Sequence, residues 1–410
     1  MKKNKSILIT IDSISLILML VGEICFFKSE TIYIYWILTG CGMVMAILNN
    51  INRFSFKFKK DNFVLWLSLM YSMYFFYGLF YLQMGEFPID TLLYRFVEGI
   101  VLYLLLSSLL EKDTELLVKS FAISGVISIL YLISSEKTNI LMGGSRIGDS
   151  LSGNVNTVGF NFGIISTVLM WSICKEKKFY KVLVFVLLSI FMLLTGSKKT
   201  LIIFIVDILI FFVYKRKKIS GWIKIIIMLI VGSYIIFNIP YFYDIIGSRI
   251  ESMFDTLIFG NNTRLYSYST EVRDDMIIEA FHLFLNKPIF GGGWNYFYSK
   301  TIYGYEYSHC NYTEMLCSFG IVGTMLYYGK YFSNIKTVLK YRKKNFDQNI
   351  DFIIIVIAFS IEALVLDWGA VSFSAQIVWY IPIIFSSAVI YVIRKNNYVM
   401  RIKNGENKYN

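Results

Sequence analysis

The chain has 410 residues, 56% of them hydrophobic and only 17% charged, with a formal net charge of +12. A water-soluble protein of this size could not hide so much apolar surface, so the composition excludes a soluble globule and makes lipid the solvent. In a soluble chain the positive charge would suggest nucleic acid; here it fits cytoplasmic loops rich in Lys and Arg, and no nucleic-acid partner is expected.

Four prolines and long runs of Ile, Leu, Phe and Tyr favour helices over a barrel of short alternating strands. The first apolar stretch, Ser6 to Phe27, follows Lys2, Lys3 and Lys5 without a small-residue cleavage site, and reads as an uncleaved first span. Further apolar segments fall near 31–49, 62–82, 91–110, 116–135, 155–174, 180–195, 200–214, 222–239, 309–333, 350–368 and 373–393. A crossing needs roughly 20 residues, so the seventh and eighth segments are short and their junction at Thr195–Thr200 falls at the membrane boundary. With the N-terminus inside, the inner loops collect basic runs such as Lys175/Lys177/Lys178/Lys181 and Lys336/Lys340/Arg342/Lys343/Lys344. The fold class is therefore an all-α polytopic membrane protein with about twelve transmembrane helices and both termini cytoplasmic. It divides into N-terminal helices (1–135), central helices with a short outer loop (136–239), a large outer loop (240–308), and C-terminal helices with a cytoplasmic tail (309–410).

That topology isolates the cations that stay on the outer side: Arg146, Lys198, Lys199, Arg249, Arg264 and Arg273. Arginine forks match phosphate oxygens bidentately and lysine adds a point charge, so a diphosphate headgroup suits the set. The bland alternative is that long translocated loops ignore the charge rule. Residues 270–288 read as an amphipathic helix with Met276, Ile277, Ala280, Phe281 and Phe284 on one face and Pro288 beyond its end. It either lies on the outer leaflet or packs on the bundle; both put Arg273 near the lipid boundary. Gly291, Gly292 and Gly293 before Trp294 suit a loop-to-helix turn or a close approach to a ligand, the turn being the plainer reading.

Of two histidines, His309 lies where the large loop re-enters the tenth span, with Glu314 five residues on. Histidine is a suitable base near neutral pH, or else an interfacial hydrogen-bonder. Arg95 and Glu98, one turn apart inside a span, are placed to neutralise each other, and Asp207 to meet a cation elsewhere in the bundle. The five cysteines have no metal-type or disulfide spacing, and neither metal nor cofactor is expected.

Four segments, in order, resemble the O-antigen polymerase and O-antigen ligase superfamily. Arg146 followed by Asn154-Val155-Asn156 resembles its outer "Arg … Asn-x-Asn" segment, and Thr195-Gly196-Ser197-Lys198 its "Thr-Gly-Ser-Arg" junction. Arg273 through Pro288-Ile289-Phe290-Gly291-Gly292-Gly293 resembles the end of its large loop. His309 with Tyr312, Gly320 and Gly323 resembles its "His-Asn-x-Tyr … Gly-x-x-Gly" re-entry. Lys198 stands where arginine is usual, and Cys310 where asparagine follows the histidine, leaving Asn311 one position displaced.

The resemblance, over roughly 140–330, implies a GT-C-like membrane glycosyltransferase whose large extracytoplasmic loop separates spans 9 and 10. Its substrates would be oligosaccharide repeat units on undecaprenyl diphosphate, its activity an inverting, metal-independent polymerisation of O-antigen or capsular glycan. A chain-length regulator and a flippase of the same pathway would be partners. In this reading His309 and Glu314 are base candidates; Arg146, Lys198, Lys199, Arg249, Arg264 and Arg273 hold the diphosphate. A ligase using another acceptor is the alternative within the enzyme class; a non-enzymatic flippase or transporter is the alternative outside it.

Overall fold

A computed structural model describes residues 2–57, 62–142, 146–152, 154–215, 219–259, 268–302, 304–344, 346–374 and 377–403. Among them the regular structure is helical, save one isolated parallel bridge between Leu82 and Trp294. Five long helices open the chain: α1 (Lys2–Cys25), α2 (Ile32–Lys57), α3 (Asn62–Phe80), α4 (Ile89–Lys112) and α5 (Thr114–Ser135). Two short ones, α6 (Lys137–Met142) and α7 (Asp149–Ser152), lead to α8 (Val155–Lys175), α9 (Phe179–Leu194), α10 (Lys198–Lys215) and α11 (Ile219–Asn238). The large loop holds α12 (Pro240–Phe242), a π-helical turn (Tyr243–Gly247), α13 (Ser248–Phe259), α14 (Tyr268–Asn286) and α15 (Tyr296–Lys300). The long α16 (Asn311–Lys344), then α17 (Phe346–Asp367), a 3-10 turn (Ile377–Tyr380) and α18 (Ile381–Lys403) complete it.

Six helices among the described residues are long and apolar enough to cross a membrane, and a seventh crossing results if a bent pair at 230–252 is one span. The chain turns through 90° at that bend, after Asn238, where Ile239 is extended and Pro240 starts a new helix. About twelve crossings are expected from the sequence, more than these six; α9, at 16 residues, is among the shorter apolar helices.

Helices α4, α8 and α18 are apolar nearly all round and bury most of their length, which makes them the centre of the bundle. Some polar groups within it are paired across helices. Asp12 accepts hydrogen bonds from Asn49, Asn50, Ser108 and Lys112, tying α1 to α2 and α4. Among the described residues Asp207 meets no cation, contrary to expectation: its carboxylate and that of Glu362 both lie against the Thr167 hydroxyl. The reason is in the neighbours, since α8 and α17 carry no basic side chain at that depth. Nor are Arg95 and Glu98 occupied only with each other. Arg95 donates to the Ser374 carbonyl and lies 5.4 Å from the Phe27 ring centre, while Glu98 accepts from the Tyr35 hydroxyl at 3.0 Å.

Candidate active site

The site begins with a three-residue turn. Thr195, Gly196 and Ser197 join α9 to α10, and Gly196 adopts φ +58, a left-handed conformation that glycine takes without a Cβ penalty. Space demands glycine as well: a Cβ there would lie 2.7 Å from the Ile245 carbonyl oxygen and 3.2 Å from Cγ of Arg146. The Arg146 side chain thus crosses directly over the turn. Its Nε donates to the Thr195 carbonyl at 2.7 Å and its Nη2 to Oδ1 of Asn156 at 2.7 Å. Asn154 caps α8 by accepting from the Asn156 amide at 2.9 Å, which explains the two asparagines: one starts the helix, the other holds the arginine. The preceding loop is fixed from below by Glu136, which accepts from the amides of Gly148 and Ser150.

A second junction forms where the large loop meets α16. That helix is broken at Gly320, with φ +65, and the break frees backbone groups on both sides. The amides of Gly292 and Gly293 donate to the freed carbonyls of Cys317 (2.8 Å) and Ser318 (3.0 Å). In return the amides of Ile321 and Val322 donate to the carbonyls of Pro288 and Ile289. A Cβ on Gly291 would strike the Ser318 backbone, and one on Gly320 the Ile289 carbonyl, so glycine is required on both strands of this splice. The triplet also leads through Asn295 into α15, as a loop-to-helix turn. The close approach it permits is to protein backbone.

The splice carries α14 with it. Val272, Met276, Ala280 and Phe284 pack against Tyr296, Phe297 and Cys317. The amphipathic helix of the sequence therefore docks on the bundle, with Phe281, expected on the packed face, left exposed. The buried residues repeat every four positions: Met276, Ala280 and Phe284 of the predicted face pack, joined by Val272, while Ile277 is only half-buried.

These junctions surround one cavity of about 1140 Å³. Arg146, Lys198, Lys199, Arg249, Arg273, His309 and Glu314 all line it. Arg264 lies outside the described residues. Arg249 and Arg273 make no hydrogen bond or ion pair among the described residues, whereas Lys199 donates to the Gly369 carbonyl beyond the end of α17. Burial, then the charges of Arg249 and Arg273, lower the Arg146 pKa to about 10, so it stays charged at neutral pH in a crowded positive field. An anion entering that field relieves repulsion as well as gaining contacts.

His309 and Asn295 are the only non-glycine residues with positive φ among those described, and both line the cavity. The imidazole packs against Tyr307 (4.7 Å between ring centres) and Tyr305 (6.0 Å). Burial, then the charges of Arg273 and Lys199, push its pKa down from 6.5 to about 4, leaving it neutral and able to take a proton. Glu314 is buried and accepts from the Ser308 amide at 2.8 Å, which fixes the residue before His309.

Asn311 turns out to be a hub. Its Oδ1 accepts from the amides of Ser372 (2.9 Å) and Phe373 (3.0 Å), and its Nδ2 donates to Tyr328 and Asp367. It thereby holds the 368–374 segment, whose Gly369, Ala370, Val371, Phe373 and Ser374 line the cavity. Sequence reasoning missed this segment and the 85–86 loop; the punctuation after an apolar run, Asp367-Trp368-Gly369, was the available signal for the first.

The model of the O-antigen ligase family matches residues 183–328. Over those residues the chain is similar to the O-antigen polymerase and ligase superfamily. Members of that superfamily are membrane glycosyltransferase-like enzymes that act on lipid-linked glycans. The match spans the superfamily junction at Thr195–Lys198, the large loop and the re-entry at His309. Arg146 falls before it and 369–374 after it, yet both face the same cavity. No curated protein matches the chain.

Proposed function

We propose that this protein is a polysaccharide polymerase for O-antigen or capsular glycan. It transfers the growing chain from undecaprenyl diphosphate onto an incoming lipid-linked repeat unit at the outer face of the cytoplasmic membrane. The observation that carries this reading is the convergence of five cations and one neutral imidazole on a single cavity.

In the proposed reaction an acceptor sugar hydroxyl attacks the anomeric carbon of the donor. The new O–C1 bond forms as the C1–O(phosphate) bond breaks, and the leaving electron pair passes to the diphosphate. Arg146, Arg249, Arg273 and Lys198 stabilise that developing charge, with Lys199 and Arg264 as further contributors. His309 receives the hydroxyl proton. Glu314, whose carboxylate is engaged by Ser308, fits better as the support of the His309 loop than as the base. A single displacement inverts the anomeric configuration, and side chains supply the charge a metal would otherwise provide. The proposal includes about twelve spans, both termini in the cytoplasm and 240–308 outside. A flippase and a chain-length regulator would act beside it.

Size analysis of the surface glycan with and without the protein tests this function. Single repeat units on the acceptor in its absence support a polymerase. Undecorated acceptor with intact long chains identifies a ligase.

A further inference from the structure

We propose that the cavity wall formed by Glu86, Asn295, Tyr298, Glu306 and Tyr307 is the acceptor-sugar subsite, an assignment that rests on the transferase function above. The cavity lining is chemically divided. Most of its cations come from the 146 loop, the start of α10 and α13. The loop after α3, α15 and the 306–307 segment bring no cation to it; they contribute two carboxylates, an amide and two phenol rings.

Carboxylates at Glu86 and Glu306 repel phosphate oxygens, so this wall is unsuited to a diphosphate. They are strong acceptors for hydroxyl pairs, and the tyrosine rings offer apolar faces to the C–H side of a pyranose. This combination selects a sugar bearing adjacent free hydroxyls. Neither carboxylate has a hydrogen-bond partner among the described residues, so both remain available.

The wall is held in place. Asn295 donates through Nδ2 to the Met84 carbonyl at 2.9 Å, keeping its Oδ1 for a ligand. The Trp294 amide and carbonyl pair with Tyr81 and Gln83, which binds the start of α15 to the Glu86 loop. His309 sits at the seam: its ring contacts Tyr307 at 4.7 Å, while Lys199 and Arg273 act on its charge. A hydroxyl held by the acidic wall is thereby presented beside the imidazole, with the diphosphate on the far side of the anomeric carbon. In-line displacement requires that arrangement.

The test uses full-length protein in liposomes with lipid-linked repeat units extracted from cells lacking it. Two readouts are taken, elongation against repeat-unit concentration and binding of inorganic pyrophosphate. Glu86→Gln and Tyr298→Ala should raise the half-saturating repeat-unit concentration roughly tenfold or more while pyrophosphate affinity stays within about twofold of wild type. Unchanged elongation in both variants overturns the assignment. So does a fall in pyrophosphate binding as large as the fall in elongation, because the wall would then belong to the anion berth or to the fold. If wild-type protein binds pyrophosphate and elongates nothing, the transferase reading itself fails and the subsite goes with it.

Discussion

Glu314 accepts the amide proton of Ser308 at 2.8 Å, one residue before His309, so a buried carboxylate sets where the imidazole stands. Glu314→Gln keeps an acceptor for that amide, whereas Glu314→Ala leaves it unpaired. The alanine variant should lose roughly a hundredfold in polymerisation rate through misplacement of His309, and the glutamine variant should recover most of it. Equal loss in both would make the Glu314 charge itself the functional element. Rates on purified lipid-linked repeat units decide.

His309 carries its own pH signature. With its pKa near 4, the imidazole stays neutral from about pH 5 upward, so the acid limb of kcat/KM should fall near pH 4 and not near 6.5. Bound diphosphate offsets Arg273 and Lys199 and favours the protonated ring, so the limb of kcat should lie higher. The same shift affects folding. The unfolded chain takes up this proton first, so the group has no effect on stability above pH 6.5 and costs progressively more as pH falls towards about 4.

Gly196→Ala would force a Cβ into the left-handed region and against the Ile245 carbonyl. A cost of about 1–2 kcal/mol is expected from the backbone alone. Thermal unfolding in detergent should register it, and polymerisation should fall further because Arg146 rests on that turn.

Arg146 divides its guanidinium between Thr195 and Asn156. Arg146→Lys retains the charge but cannot make both contacts, so it should lose roughly tenfold or more in activity, close to the loss in Arg146→Ala. Recovery of full activity by lysine would mean that charge alone matters at this position.

The sequence made the cations legible because topology is a physical constraint: the expected orientation puts Arg146, Lys198 and Arg273 where positive charge is disfavoured. His309 was legible for its rarity and its place at a loop re-entry. The rest depended on contacts between distant segments. Gly320 stands out in the sequence only through the superfamily resemblance; that the helix breaks there, against the backbone of Ile289 and Gly291, is not legible locally. Asn311 serves Ser372 and Phe373, some sixty residues on, and nothing local in its sequence signals that. For α14 the pattern gave the right element and the packed Met276, Ala280 and Phe284, but too wide a stripe, because Ile277 and Phe281 are as apolar as the residues that pack.

The central claim is that cations in this cavity hold a lipid diphosphate as it leaves. Purified protein in liposomes, supplied with undecaprenyl-diphosphate-linked repeat units, tests it by counting released undecaprenyl diphosphate against glycosidic bonds formed. One carrier released for each bond by wild type, and none by Arg273→Ala protein that still inserts in the membrane, is the predicted result. Repeat units that cross the bilayer without elongation or carrier release would contradict it.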